Sequence, residues 1–130
     1  MQWLNLREKI LRLPLNMSLT YKDVENDKNE IIICIFDGQK PVGGLQLKSL
    51  GRNKVKLRQM AVCKKYRNQG LGKKLLNFAE KTALKHGFTL IELHAREEAV
   101  EFYKKSGYQI SGSLFTEVGI PHLFLSKNIK

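Results

Sequence analysis

The chain has few of the residues that build disulfide frameworks, proline-rich linkers or membrane spans. Its 130 residues include two cysteines and three prolines, too few for a disulfide scaffold or a proline-rich segment. The longest apolar run, at residues 31–36, is much shorter than the roughly 20 apolar residues that cross a bilayer. The first 15 residues do not have the pattern of a signal peptide. We therefore expect one cytoplasmic domain over residues 1–130.

Acidic side chains are also scarce, since 12 Asp and Glu stand against 23 Lys and Arg, for a net charge of +11. A field of this sign attracts anions such as nucleic acid, an anionic membrane or a phosphorylated cofactor. The basic residues are scattered, aromatic residues are not interleaved with them, and no nucleic-acid-binding motif accompanies them. We expect neither a nucleic-acid partner nor a membrane partner. The sequence also predicts no metal site, because its Cys and His residues lack metal-ligand spacing.

Hydrophobic periodicity predicts a single mixed α/β domain. Residues 15–29 are polar and turn-rich, so no strand is expected there. The Gly43-Gly44 pair inside one predicted strand indicates a bulge or a close approach of two backbones. The predicted helices cover residues 5–13, 70–86 and 97–106, and the predicted strands cover residues 30–36, 40–47, 54–62, 89–95, 108–111 and 122–128.

One predicted strand-to-helix junction has the chemistry of a phosphate site. The strand ending at Val62 leads through a short basic loop into the longest helix, which opens with Gly70 and Gly72. The first turn of a helix has N–H groups without partners and a partial positive charge, and glycine lets a ligand approach closely. Arg67 and Lys73 add cations. The junction therefore suits a phosphate or a diphosphate.

Two familiar phosphate motifs do not fit this junction. A Walker A loop needs Ser or Thr after Gly-Lys, whereas Gly72-Lys73 is followed by Lys74. A dinucleotide fingerprint needs a third glycine where the chain has Leu75, and no acidic ribose partner is evident downstream. A nucleoside triphosphate and a dinucleotide are therefore both disfavoured.

A third motif matches the junction. Arg67-x-x-Gly70-x-Gly72, shortly after a strand ending at Val62, resembles the acyl-coenzyme A signature of the GCN5-related N-acetyltransferase (GNAT) family. The pattern Ala-x-x-x-Tyr-x-x-x-Gly-Tyr at residues 99–108 resembles a second motif of that family. Other stretches, including residues 93–96 and 117–122, are similar to the bacterial branch that contains ElaA and YjcF.

This resemblance implies a fold and some departures from it. The implied fold is a mixed, mostly antiparallel sheet flanked by helices, with the first strand reduced or missing because only residues 1–3 precede the opening helix. Arg96 stands where the family often has an asparagine that helps hold coenzyme A. Many relatives dimerise, so a homodimer is one expectation.

The resemblance also implies an activity and a set of site residues. The activity is transfer of an acetyl group from acetyl-CoA to a primary amine by direct attack in a ternary complex. The alternative is a catalytically silent acyl-CoA-binding or sensor module. Tyr103 would act as the general acid toward the departing thiolate. The implied cofactor-binding residues are Met60, Ala61, Val62, Arg67, Asn68, Gln69, Gly70, Leu71, Gly72 and Lys73.

The general base is less well defined by the sequence. Glu92 and His94 share one face of a predicted strand, because residues two apart point the same way. Glu117 lies in the predicted loop before the last strand, and His122 lies where that loop meets the strand. His94 leads narrowly, since an imidazole titrates near neutral pH, although a structural role remains the alternative for both histidines.

Overall fold

Seven strands form one sheet in a computed structural model that describes residues 17–24, 30–67, 69–117 and 119–130. The strand order is β1-β2-β3-β4-β5-β7-β6, and only β4 and β5 pair in parallel. This mixed, mostly antiparallel sheet confirms the predicted fold class. The strands are β1 (Met17–Val24), β2 (Glu30–Asp37), β3 (Lys40–Gly51), β4 (Lys54–Val62), β5 (Leu90–Arg96), β6 (Gln109–Glu117) and β7 (Ile120–Asn128).

In the described ranges, two helices and two short 3-10 turns lie between these strands. Helix α1 is Leu71–Lys85 and helix α2 is Val100–Lys105, while the 3-10 turns are Lys64–Tyr66 and Glu97–Ala99. Helix α1 packs against β2, β3 and β4, and Gly87 beyond its end has φ 91°, as expected of a glycine that stops a helix. The face of α1 turned to the sheet has the predicted apolar spacing: its buried residues are Leu71, Leu75, Leu76, Phe78, Ala79, Thr82 and Ala83.

Two segments that were predicted to lack regular secondary structure are strands in the structure. Residues 17–24, predicted as turn-rich, form β1, which pairs with β2 from Met17↔Asp37 to Val24↔Glu30. An edge strand needs only one backbone partner, so a polar sequence does not prevent it. The chain between 111 and 122, predicted as a loop, continues the β6–β7 hairpin instead. The predicted helix at 5–13 and the strand stub at 1–3 lie outside the described residues.

A bulge in β4 separates this strand from β5. Gln59 has φ 54°, and Gln59 and Met60 together face the single residue Leu45 of β3, because the register moves from Gln46↔Arg58 to Gly44↔Ala61. Bulges bend the strand that carries the extra residue. Strands β4 and β5 pair only over the three positions 54–56 of β4, and a cleft opens beyond them.

The glycine pair in β3 confirms the predicted close approach. A Cβ on Gly44 would lie 2.7 Å from the carbonyl oxygen of Ile33 on β2, and a Cβ on Gly43 would lie 3.1 Å from the carbonyl oxygen of Ala61 on β4. Both obstacles are backbone atoms, which cannot rotate away. Side chains larger than hydrogen are therefore excluded from this part of β3 unless the sheet shifts.

We expect Gly44→Ala to lower the free energy of unfolding by about 1–3 kcal/mol, the usual cost of overpacking. Gly72→Ala is the matched control, because its Cβ would meet only side-chain ends at 3.4 Å or more and alanine favours a helix. Urea unfolding of both variants measures the difference. Equal stability of Gly44→Ala and wild type would contradict the prediction.

Candidate functional site

A cleft of about 790 Å³ lies where β4 and β5 part. Its walls come from the two strands, and its floor includes Ala99 and Tyr103 of the segment that follows β5, and His122 of β7. The cleft exists because the bulge at Gln59 turns β4 away after three paired positions. From Leu57 onward, the β5-facing edge of β4 has no strand partner among the described residues, so its backbone can accept an extended ligand chain.

The amino-terminal end of α1 lies beyond the end of β4 and has an open backbone. Lys74 is the first residue whose N–H bonds back to the helix, 3.1 Å from the carbonyl oxygen of Gly70, so the three N–H groups before it point out of the helix end. The N-cap residue Gly70 has φ 75°, and neither a side-chain cap nor an acidic residue occupies the first turn. A Cβ on Gly70 would meet nothing within 4 Å. This end therefore accepts an anion.

Two side-chain hydrogen bonds fix the middle of the loop between β4 and α1. The Tyr66 ring is buried, and its hydroxyl donates to Asp37 Oδ2 at 2.7 Å. That hydrogen bond raises the pKa of Tyr66 above its ordinary value. Arg67 Nε donates to the carbonyl oxygen of Val62 at 3.0 Å, which holds an exposed guanidinium beside the open helix end.

Tyr103 brings a protonated hydroxyl to the cleft. Its side chain is 8% exposed, and its hydroxyl donates to Met60 Sδ at 3.4 Å. Edge-to-face contacts with Phe102 and Tyr108, with ring centroids 5.1 and 5.7 Å away, fix the ring. Burial raises the pKa of Tyr103 to about 12, because the phenolate would lose its hydration. The hydroxyl is therefore a donor at neutral pH, and its present acceptor is a sulfur atom.

A buried polar network supports Tyr103 from behind. The Tyr108 hydroxyl donates to Glu80 Oε2 at 3.0 Å, and Lys127 Nζ donates to Glu80 Oε1 at 3.0 Å and to the carbonyl oxygen of Ser106 at 2.8 Å. Desolvation, followed by the charge of Glu80, raises the pKa of Tyr108. The network connects α1, β7 and the end of α2 around the ring of Tyr108, which contacts Tyr103.

Two of the proposed bases lie in the cleft. His94 lines it and packs against Phe124 with ring centroids 5.6 Å apart. His122, expected at the end of a loop, lies in β7 opposite Arg96 and also lines the cleft. Its Nδ1 lies 2.8 Å from the carbonyl oxygen of Ile120. A carbonyl accepts only, so Nδ1 donates there and the neutral ring has its lone pair on Nε2.

The other two proposed bases are the carboxylates Glu92 and Glu117. Glu92 lies at the last position where β5 pairs with β4. Its carboxylate is 3.8 Å from Lys54 Nζ, and it is not among the residues that line the cleft. Because Glu92 is ion-paired with Lys54, a structural role explains its position better than a role as the general base. The backbone of Glu117 ends β6, but its side chain lies outside the described part of the chain.

The structure separates the predicted cofactor residues into two groups. Met60 and Arg67 line the cleft, and Ala61 and Val62, again with Arg67, line an adjoining depression of about 520 Å³ over β2, β3 and β4. The second group, Gln69, Gly70, Leu71, Gly72 and Lys73, forms the open end of α1. Asn68 lies outside the described residues.

Some residues of the cleft were missed from the sequence. The sequence around Gln59 does not indicate a bulge, because glutamine is not a residue that favours a left-handed backbone. Phe102 lies under the glycine-rich turn, with its Cζ 3.4 Å from where a Gly72 Cβ would be. From its place in an amphipathic helix, Phe102 was predicted only as a core residue. Lys56 and Glu98 also line the cleft.

Neither a metal-ligand group nor a membrane-spanning helix occurs in the described part of the chain. No three His, Cys, Asp or Glu side chains of the described residues are placed to hold an ion together. Helix α1, the longer of the two described helices, is too short and too polar to cross a bilayer.

Comparison with known proteins agrees with this geometry. The model of the Acetyltransferase (GNAT) family matches residues 1–108. The chain is 37% identical over 97 residues to the uncharacterized protein YyaT of Bacillus subtilis strain 168, an alignment that covers 75% of this chain and 65% of YyaT. It is 36% identical over 112 residues to the uncharacterized N-acetyltransferase YjcF of the same strain, covering 82% of this chain and 74% of YjcF. The chain thus spans just under two thirds of YyaT.

A solved structure confirms the fold. Escherichia coli ElaA matches with a TM-score of 0.69 at 20% identity, over 76% of this chain and 68% of ElaA. YjcF and ElaA represent the branch that the sequence motifs indicated. With a family match over residues 1–108 and relatives above 30% identity, the chain belongs to the GNAT family of acetyltransferases.

Proposed function

We propose that this protein is an acetyl-CoA-dependent N-acetyltransferase that transfers the acetyl group to a primary amine by direct attack, with both substrates bound together. The observation that carries the proposal is the open end of α1 beside a cleft between two separated strands. Family membership gives the reaction class. The arrangement of the described residues supports the individual roles below.

The residues at the helix end fit the diphosphate of coenzyme A. Gln69, Gly70 and Lys73 are exposed there, no carboxylate opposes an anion in the first turn, and the absent Cβ of Gly70 leaves room against the backbone. The unpartnered edge of β4 at Met60–Val62 would hold the pantetheine arm as an added strand. Asn68 is proposed for the same site on its motif position alone. When bound, acetyl-CoA supplies the thioester that the amine attacks.

Tyr103 is the proposed general acid. Its hydroxyl is protonated, lines the cleft and already donates to the sulfur of Met60. A thiolate leaving group needs a proton from a donor held within hydrogen-bond reach. The rigid contacts with Phe102 and Tyr108 limit the hydroxyl to this part of the cleft.

His94 is the proposed base that takes the proton from the acceptor's ammonium group, directly or through water, so that the neutral amine can attack the thioester. It lines the cleft on the strand that faces the β4 bulge, and an imidazole nitrogen can accept a proton in general base catalysis. His122 is the second candidate, because its hydrogen bond to the Ile120 carbonyl leaves the lone pair on Nε2. Glu92 and Glu117 rank lower, the first because it is paired with Lys54.

Two measurements test the proposal. Isothermal calorimetry with acetyl-CoA reports binding, and a thiol-reactive dye reports coenzyme A release with a panel of primary amines. We expect saturable binding and amine-dependent release. Binding without release across the panel would favour a catalytically silent acyl-CoA-binding module, whereas absence of binding would contradict both functions.

A further inference from the structure

We propose that the acceptor amine also carries an anionic group, a carboxylate or a phosphate, which Arg96 and Lys56 bind at the acceptor side of the cleft. This inference rests on the proposed function and narrows its substrate class. It comes from the charges on one face of two neighbouring strands. Both cations line the cleft.

Strand alternation places these cations on one face of the sheet. In β5, the buried Ile91, Leu93 and Ala95 alternate with residues of the opposite face, which are Glu92, His94 and Arg96. In β4, the buried Val55 and Leu57 likewise alternate with Lys54, Lys56 and Arg58. The buried set belongs to the core that packs under α1. Lys56, Arg96 and His94 therefore share the face turned away from that helix.

The carboxylates on this face already have cationic partners. Glu92 lies 3.8 Å from Lys54 Nζ, and Glu30 lies 3.7 Å from the Arg58 guanidinium. Among the described residues, no carboxylate lies within ion-pair distance of Lys56 or Arg96. Neither Lys56 nor Arg96 therefore has an ion-pair partner in the part of the chain that the structure describes.

One acidic residue does line the cleft. Glu98 is exposed and lies outside ion-pair distance of Arg96. Four cations line the same cleft, and they are Lys56, Arg58, Arg67 and Arg96. The field that a ligand meets there is positive.

The diphosphate of coenzyme A does not account for this charge. Its proposed site lies past Val62, at the end of α1, where Arg67 and Lys73 supply cations. Lys56 is six residues back along β4, or about 20 Å at the rise of an extended strand. Arg96 points to the face opposite α1. Lys56 is thus available to a different ligand. Arg96 stands where the family often has an asparagine that helps hold coenzyme A, so its assignment to the acceptor requires that Arg96→Gln keep the wild-type affinity for acetyl-CoA.

A positive cleft selects among amines. A simple alkylammonium ion would be repelled by Arg96 and Lys56, whereas an anionic group on the same molecule converts this repulsion into a charge-assisted hydrogen bond. The same field favours the neutral amine over the ammonium ion, and the neutral amine is the nucleophile. Arg96 lies two residues from His94 on one strand face, so binding of the anion would bring the amine near the proposed base.

The test compares acceptors that carry or lack the anionic group, and kcat/KM is referred to the concentration of neutral amine because the anionic group also raises the pKa of the amine. Leucine against leucinamide tests a carboxylate, and phosphoethanolamine against ethanolamine tests a phosphate. We expect kcat/KM to be about tenfold or more higher for the anionic member of at least one pair. The pair with the larger ratio identifies the anion. Equal rates within both pairs would overturn the inference and leave the proposed function standing.

Variants assign the preference to residues. Arg96→Gln should remove most of it, and Arg96→Glu should reverse it, so that leucinamide exceeds leucine. Lys81→Gln, which removes an exposed cation from α1, is the matched control and should keep the wild-type ratio. A preference that survives Arg96→Glu would contradict the assignment.

A binding measurement decides the inference even if no amine is acetylated. Release of no coenzyme A with any amine would remove the proposed function. Calorimetry on the coenzyme A-loaded protein would then compare N-acetylleucine with N-acetylleucinamide. The inference predicts tighter binding of the carboxylate, lost in Arg96→Gln, and equal binding of the two would overturn it.

Discussion

Tyr103→Phe is expected to lower kcat by about 10²–10³-fold while leaving the affinity for acetyl-CoA within about twofold of wild type. General acid catalysis by a positioned side chain contributes about 10²–10⁴-fold. The substitution deletes only the hydroxyl, whose contact in the structure is the 3.4 Å hydrogen bond to Met60 Sδ. The ring and its contacts with Phe102 and Tyr108 remain, so the cleft should keep its shape. Steady-state kinetics and calorimetry with acetyl-CoA separate the two quantities.

The pH dependence adds a second readout to this prediction. Because burial raises the pKa of Tyr103 to about 12, the hydroxyl stays protonated through the whole range below pH 10. The rate should therefore rise with pH as the acceptor amine loses its proton, without a fall below pH 10 from loss of the acid. Tyr103→Phe should lower this curve without changing its shape.

Tyr108→Phe is the matched control for Tyr103→Phe. It removes the same atom from the neighbouring ring, but its hydroxyl donates to Glu80, behind the cleft. This variant should lose about 1–3 kcal/mol of unfolding free energy, because Glu80 loses a buried donor, and should keep kcat within a few-fold. If Tyr103→Phe retained full kcat, or if both variants lost it equally, Tyr103 would not be the acid.

The sequence predicted the parts of the site that depend on local pattern. The spacing of Leu71, Leu75 and Phe78 indicated α1, and Arg67 with Gly70 and Gly72 indicated the open amino-terminal end of this helix, which is proposed to bind the diphosphate. Both depend on interactions within a few residues. The bulge at Gln59 could not be predicted, since its φ of 54° is imposed by the pairing of β4 with β3 rather than by the residue type.

Two other predictions differ from the structure for the same reason, which is pairing between strands. His122 was expected at the end of a loop because residues 112–121 are rich in turn formers, but pairing of β6 with β7 extends the hairpin through that segment, and this ring lines the cleft. Glu92 shares a strand face with His94, as predicted, yet Lys54 on the neighbouring strand pairs with it. Contacts between strands that are distant in sequence decided both cases.

Gly70→Asp is expected to weaken acetyl-CoA binding by at least about 100-fold without unfolding the protein. A carboxylate at the N-cap of α1 would face the proposed diphosphate, and like charges brought together cost several kcal/mol. The protein itself should tolerate the change, because a Cβ at this position meets nothing within 4 Å. Aspartate also accepts a left-handed backbone better than most residues, and its charge favours the helix N-terminus. Calorimetry gives the affinity, and thermal unfolding gives the stability.

Gly70→Asn separates the charge from the bulk of the side chain. Asparagine has nearly the same shape as aspartate, tolerates the φ of 75° and carries no charge, so Gly70→Asn fills the same space without the repulsion and should bind acetyl-CoA at least about tenfold more tightly than Gly70→Asp. The difference between the two variants should also shrink as salt screens the charge. Equal losses in both variants would mean that the position is closed by bulk alone. Wild-type affinity in both would mean that the diphosphate binds elsewhere, and the open end of α1 would lose its assigned role.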